Sequence, residues 1–188
     1  MLRVTSIACV IVGLIAVMPG GATAATTSRA ASGACAGTGS MAVDEATRQQ
    51  AVRAMRCLVN AERAAAGAYP LRPSNPLVSA ALGHSAAMVS GKFISHSSLN
   101  GDTVRKRVRR TSYARRSRNW VVGETLTWGS GMFATPAELV AGLMASSLHR
   151  ATMLDRGFRD VGIGIVLGAP MLDITGAAAT VTLNFGRR

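Results

Sequence analysis

The order in which two periodicities follow one another constrains this chain more than any other feature. Helical spacing dominates its first half, and strand-like runs close it. Asp44 can cap a helix on which Val52, Met55, Val59 and Ala66 recur at helical spacing until Gly67 stops the run. Pro70, Pro73 and Pro76 enclose a connector. A second helix follows to about residue 90, with Leu77, Ala81, His84 and Met88 on one face and Gly91 past its end. Asn100-Gly101 marks a turn. Residues 120–128, 161–167 and 178–185 read as strands. Between the first two, Thr135, Pro136 and Glu138 open a helix carrying Leu139, Leu143 and Met144, and a shorter helix spans 149–154. Helices first and strands late point to an α+β fold with an antiparallel sheet. A hydrophobic content of 48% over 188 residues supplies the core for one domain.

The front end stands apart from this pattern. Residues 1–24 combine Arg3, an apolar stretch over 4–18 and the small-residue site Ala22-Thr23-Ala24, which reads as a secretory signal peptide cleaved near Ala24. Pro19-Gly20-Gly21 ends the apolar stretch too early for a spanning helix, and no other run is long enough. The expected product is therefore exported, extracellular or periplasmic, and not an integral membrane protein. Residues 25–43, rich in Ala, Ser, Thr and Gly, read as a loose arm, and 44–188 as the folded domain. Export changes the reading of the cysteines. Cys35 and Cys57 remain as an even pair in an oxidising compartment, so a structural disulfide is expected, with two free thiols as the open alternative.

The formal net charge is +12, nearly all of it arginine, since Lys92 and Lys106 are the only lysines. Arg105, Lys106, Arg107, Arg109, Arg110, Arg115, Arg116 and Arg118 form one dense run. Such a balance suits nucleic acid, but an exported protein does not meet it. The run also lacks a stacking platform beyond Tyr113 and Trp120. Two readings stay open: a solvated helix face, or a surface for anionic envelope polymers or lipid head groups.

Three histidines are available for chemistry. His84 sits on an apolar helix face and reads as a packed, hydrogen-bonded core residue. His96 precedes a polar turn, and His149 lies at the junction of two helical segments. Glu124 stands in an otherwise apolar strand, where a carboxylate needs a partner. Their intervals match no local metal motif.

The ordered segments RCLVNAERAAAG, LVSAALGHSAAMVSGKFISHSS, DTVRKRVRRTSY, VVGETLTWGSG, ATPAELVAGLMASSLHRATMLDRGFRDVGIGIVLGAP and TVTLNFG resemble the bacterial branch of the CAP superfamily over roughly residues 52–186. The resemblance implies a three-layer α-β-α sandwich with a central antiparallel sheet. It also implies a cleft built from His96, Glu124 and His149, with the two histidines able to hold zinc or another divalent cation. Ser146 stands at the position of the family's second acidic residue, and Leu143, Leu148 and Thr125 replace the usual Trp, Gly and Asn. Two histidines leave zinc under-coordinated, so water or a ligand group would complete its shell.

The function implied is that of a monomeric, non-catalytic binding module. It would take a small apolar or anionic ligand, or an envelope component, and no nucleic acid. The alternative is a metal-assisted, peptidase-like hydrolase using His96, Glu124 and His149 as catalytic groups. A Ser-His-Glu arrangement through Ser97, Ser146 or Ser147 can also be drawn, although no nucleophile-elbow sequence is present.

Overall fold

The computed structural model describes Cys35, residues 39–174 and residues 176–188. The expected export signal and most of the expected arm lie outside these residues.

Helix α1 spans Arg48–Ala65. Asp44 acts one turn ahead of it: Thr47 N donates to Asp44 Oδ1 at 2.8 Å, and Asp44 N donates to Thr47 Oγ1 at 2.9 Å. The buried face runs through Ala51, Ala54, Met55, Leu58, Val59 and Glu62, so the expected stripe is rotated and Val52 and Ala66 lie at its margin. Gly67 ends the helix at φ 66°, a left-handed conformation that glycine adopts without a Cβ clash.

A two-residue strand β1, Arg72–Pro73, leads into helix α2, Asn75–Gly91. The left-handed residue at the end of α2 is Lys92 and not Gly91. Gly91 serves packing instead, because a Cβ there would stand 2.9 Å from Leu99 and 3.0 Å from Phe93. The arginine run is regular α-helix only at its start, in the six-residue α3, Val104–Arg109, capped by Thr103.

Strand β2 is Val121–Ser130, followed by α4, Pro136–Ala145, and α5, Ser147–Leu154. Thr135 Oγ1 accepts from Glu138 N at the start of α4, as expected from the sequence. Strands β3, Asp160–Leu167, and β4, Ala178–Arg187, complete the sheet.

Its order is β1-β3-β4-β2. The three long strands are antiparallel, with Ile163 and Thr125 each opposite Leu183, and β1 adds a short parallel edge to β3. The two faces of the sheet differ in chemistry. On one, Val161, Ile163, Ile165, Val181, Leu183 and Phe185 join Met55, Leu58, Val59, Leu139 and Leu143 in the main apolar core under α1 and α4. On the other, Gly162, Gly164, Thr182 and Asn184 lie beneath α2. A Cβ on Gly162 would fall 2.1 Å from the Leu77 carbonyl carbon, so the helix rests directly on the strand backbone. Ser85 Oγ seals that contact through Gly164 O at 2.9 Å and Thr182 Oγ1 at 2.8 Å. The result is a three-layer α-β-α arrangement.

Cys35 and Cys57 form a disulfide with a Cα–Cα distance of 5.9 Å. Val43 N donates to Ala134 O, and Ala137 N to Gly39 O, so these residues also hold the start of α4. Arg63, fully buried, donates to the carbonyls of Tyr69, Met153, Asp155 and Phe158 and pins the end of α5 to α1. No helix among the described residues is long and apolar enough to cross a membrane.

Candidate functional site

Glu124 sits on β2 directly opposite Asn184 of β4. The strand period turns it to the face shared with α2, where water cannot solvate its charge. Three donors replace that water. Arg107 Nη2 lies 2.6 Å from Glu124 Oε2, and His96 Nδ1 lies 2.9 Å from Oε1. The Asn184 amide nitrogen, set towards the carboxylate, donates to Oε2 at 3.1 Å while its oxygen accepts from Ala81 N at 3.2 Å. Glu124 is 8% exposed and Arg107 9%.

Arg107 is the residue that sequence reasoning missed. Its place in the arginine run suggests a solvated or surface-binding role, yet it points inward from α3 beside buried Val108. Besides Glu124, it donates to Ser98 Oγ at 3.1 Å, Asp102 O at 2.6 Å and His96 O at 3.1 Å. One guanidinium thus neutralises the strand carboxylate and ties down the loop that carries His96. A signal was present in the sequence: Arg107 lies three residues beyond Val104, on the apolar edge of the helix, and Glu124 required a cation.

His84 is fully buried, as its apolar surroundings in the sequence implied. Its Nε2 donates to Ser95 O at 2.8 Å, which leaves Nδ1 to accept from Ser98 Oγ at 3.3 Å. Burial pushes this imidazole below its ordinary pKa, and Arg107 and His96 add to the effect against the opposing pull of Glu124. His84 therefore supports the His96 loop from behind and does not face a ligand.

His96 presents a side chain 58% exposed. Its Nδ1 is committed to Glu124, so Nε2 is the nitrogen left to the outside. His149 is half-buried on α5, and its pKa is lowered by burial and then by nearby His96. The fold thus pairs His96 from a loop with Glu124 from a strand, and His149 on a helix is near enough to His96 to feel its charge. Leu148, beside His149, is 80% exposed, and Leu143 is buried in the core. Thr125 is buried, with its hydroxyl unpartnered among the described residues.

Other expected combinations do not assemble. Among the described residues no group of three or more His, Cys, Asp or Glu side chains is placed to hold a metal ion. Ser97, Ser146 and Ser147 make no hydrogen bond to a histidine among the described residues, and the one serine hydroxyl bonded to a histidine there is Ser98, on His84. Glu138 lies at the start of α4, where its N–H meets the Thr135 cap.

The sequence matches the family model of the cysteine-rich secretory protein family, CAP, over residues 57–175, more than half of the chain. Among curated proteins no sequence matches. The fold is similar to an extracellular protein containing an SCP domain from Bacillus anthracis, with TM-score 0.60 and 21% identity over 79% of this chain and 45% of that one. It is also similar to an outer surface protein of Borrelia burgdorferi, with TM-score 0.59 and 17% identity over 79% of this chain and 98% of that one. A cysteine-rich secretory protein from Staphylococcus aureus gives TM-score 0.52 and 13% identity over 77% of this chain and 41% of that one. This chain thus spans less than half the length of the Bacillus and Staphylococcus proteins. The family match, together with the sandwich fold it shares with these proteins, establishes that the chain belongs to the cysteine-rich secretory protein (CAP) family.

Proposed function

We propose that this protein is a monomeric, non-catalytic extracytoplasmic binding module. In this reading the cleft of His96, Glu124 and His149 takes a divalent cation, and beside it a small apolar or anionic ligand or an envelope component. The observation that carries the reading is the state of Glu124. Both of its oxygens accept hydrogen bonds, from Arg107, His96 and Asn184, and the side chain is closed off from solvent, so most of its accepting capacity is spent inside the protein. A general base must reach a water and take its proton, and a buried carboxylate held by an arginine is poorly set for that task.

The same bonds suit cation binding. A carboxylate on His96 Nδ1 orients the ring and leaves Nε2 as a donor, the usual outer-shell arrangement of a metal-binding histidine. The lowered pKa of His149 keeps its imidazole neutral and able to donate a lone pair near neutral pH. Two nitrogens do not fill a tetrahedral shell, so affinity is modest and water or the ligand supplies the remaining positions. A bound cation would give an oxyanion group of the ligand an electrostatic anchor.

Export is supported by the leader-like pattern of residues 1–24 and by the Cys35–Cys57 disulfide. It is also in keeping with the extracellular and outer-surface designations of two structural relatives.

Calorimetric titration with zinc, on wild type and on His96→Ala/His149→Ala, tests the cation. The double variant should lose the heat, and equal heats would remove the metal. Activity profiling against peptides, with Glu124→Gln as control, tests the absence of catalysis. Turnover by wild type that disappears in Glu124→Gln would establish the hydrolase instead. Extraction of the purified protein for bound lipid or sterol tests the apolar ligand class, which an empty extract would count against.

A further inference from the structure

The N-terminal end of α2 opens onto a hollow of about 840 Å³ lined by Ser74, Asn75, Arg110, Arg115, Arg188 and Asp160, among others. Ser74 holds the N-cap position of this 17-residue helix in extended backbone, yet its side chain caps nothing. It is 7% exposed, and its hydroxyl has no hydrogen-bond partner among the described residues. A serine at this position ordinarily gives its oxygen to an N–H of the first turn, and a buried hydroxyl left unpaired is costly. Ser74, with its unpaired hydroxyl, and the positive end of a long helix line the same hollow, the combination that receives an oxyanion.

The charges around the hollow agree. Three arginines line it against one carboxylate, and that carboxylate is already engaged. Asp160 Oδ2 accepts from the Tyr113 hydroxyl at 2.9 Å, and Oδ1 faces Arg72 Nη2 at 3.4 Å. A second hollow of about 480 Å³ shares Arg188 and is lined by Arg105, Arg118 and Arg187 around Trp120. Arg105 is set over the Trp120 ring, 4.4 Å from its centroid. Arg110 is paired with Asp102 and Arg188 with Asp160, but Arg105, Arg115, Arg118 and Arg187 form no ion pair among the described residues and suit phosphate, which arginine engages through paired N–H groups. Of the exposed large apolar side chains among the described residues, only Val121 borders either hollow, which favours a soluble ligand over insertion into a bilayer.

We infer that the hollow at the N-terminus of α2 is a phosphate-binding site, and that the adjoining arginine hollow extends it for a soluble chain carrying several phosphates. Such a site rests on and deepens the reading of the protein as a binding module. It makes no use of His96 or His149. It also assigns part of the arginine run a ligand, while Arg107 and, through Asp102, Arg110 retain structural bonds.

Calorimetric titration of the whole chain with inorganic orthophosphate and inorganic polyphosphate tests the site. Orthophosphate should bind wild type and bind Ser74→Ala roughly tenfold more weakly, the worth of one hydrogen bond to a charged group. Polyphosphate should bind more tightly than orthophosphate and lose that advantage in Arg115→Gln/Arg118→Gln. An absence of heat with both probes overturns the site, and an unchanged orthophosphate affinity in Ser74→Ala overturns its seat on α2. Sedimentation with phosphatidylglycerol vesicles separates the source: binding to vesicles without binding to soluble polyphosphate overturns the soluble ligand in favour of a membrane surface. The His96→Ala/His149→Ala variant should keep phosphate binding, and its loss there would overturn a site independent of the cleft. Peptide turnover remains a separate readout for the non-catalytic reading. Ser74→Ala removes a single oxygen, and thermal unfolding of each variant verifies that the fold persists.

Discussion

Arg107 Nη2 and Glu124 Oε2 meet at 2.6 Å beneath α2, with both side chains closed off from solvent. Because each charge is the other's main compensation for lost hydration, removing one is far worse than removing both. Arg107→Met should lower stability by about 3–5 kcal/mol, whereas Arg107→Met/Glu124→Leu should recover much of that loss. Denaturant unfolding of the two single variants and the double variant measures the coupling. Equal losses in the single and double variants would refute it.

Fully buried His84 has a pKa below the ordinary histidine value, chiefly through burial. The sign of the linkage comes from that direction. As pH falls through 6.5, the unfolded chain takes up a proton that the folded imidazole refuses, so the unfolded state is favoured. This group should leave stability unchanged above that range and erode it progressively below. Thermal unfolding between pH 8 and pH 5 reads the decline, on the order of the range in which histidine titrates. Proton NMR should show the His84 ring still neutral where free imidazole is charged.

Cys35 and Cys57 are 22 residues apart in sequence, and the bridge closes a loop that the unfolded chain must carry. Its removal by Cys35→Ser/Cys57→Ser should cost about 3 kcal/mol, the scale for a loop of this size. Alkylation followed by mass measurement should label neither thiol until reductant is added.

Gly162 lets α2 lie on β3 with no side chain between them. Gly162→Ala places a methyl 2.1 Å from the Leu77 carbonyl carbon, and rigid backbone cannot yield as a flexible side chain would. A loss of about 3 kcal/mol is expected, the upper part of the usual overpacking range. Gly83→Ala, on the same helix with no atom within 4 Å of the added carbon, is the control. Thermal unfolding should separate the two clearly.

Local rules were enough to place most elements. Thr135 and Pro136 predicted the start of α4, and the Val/Thr/Trp run over 120–128 predicted β2 within two residues. Leu77, Ala81, His84 and Met88 all face inward from α2, because period and apolar character are properties of neighbouring residues. The pairing of Cys35 with Cys57 followed from export and an even count. The motif order also carried the family resemblance.

Two things were decided only in three dimensions. In β4 the alternation Thr180-Val181-Thr182-Leu183-Asn184-Phe185 is that of a sheet with one wet face, yet both of its faces are buried. The polar face is covered because Gly162 and Gly164 admit α2 at backbone contact, a relation between segments about 80 residues apart that no local window contains. The partner of Glu124 was equally hidden. The residues of the arginine run are near neighbours in sequence, but burial divides them: Arg107 is drawn inward to a carboxylate, while Arg105 lies over Trp120. Composition and periodicity therefore determined which segments would be helix, strand and core. Only the tertiary structure decided which charges would be removed from water, because the cost of a buried charge depends on what stands opposite it in space and not on its neighbours along the chain.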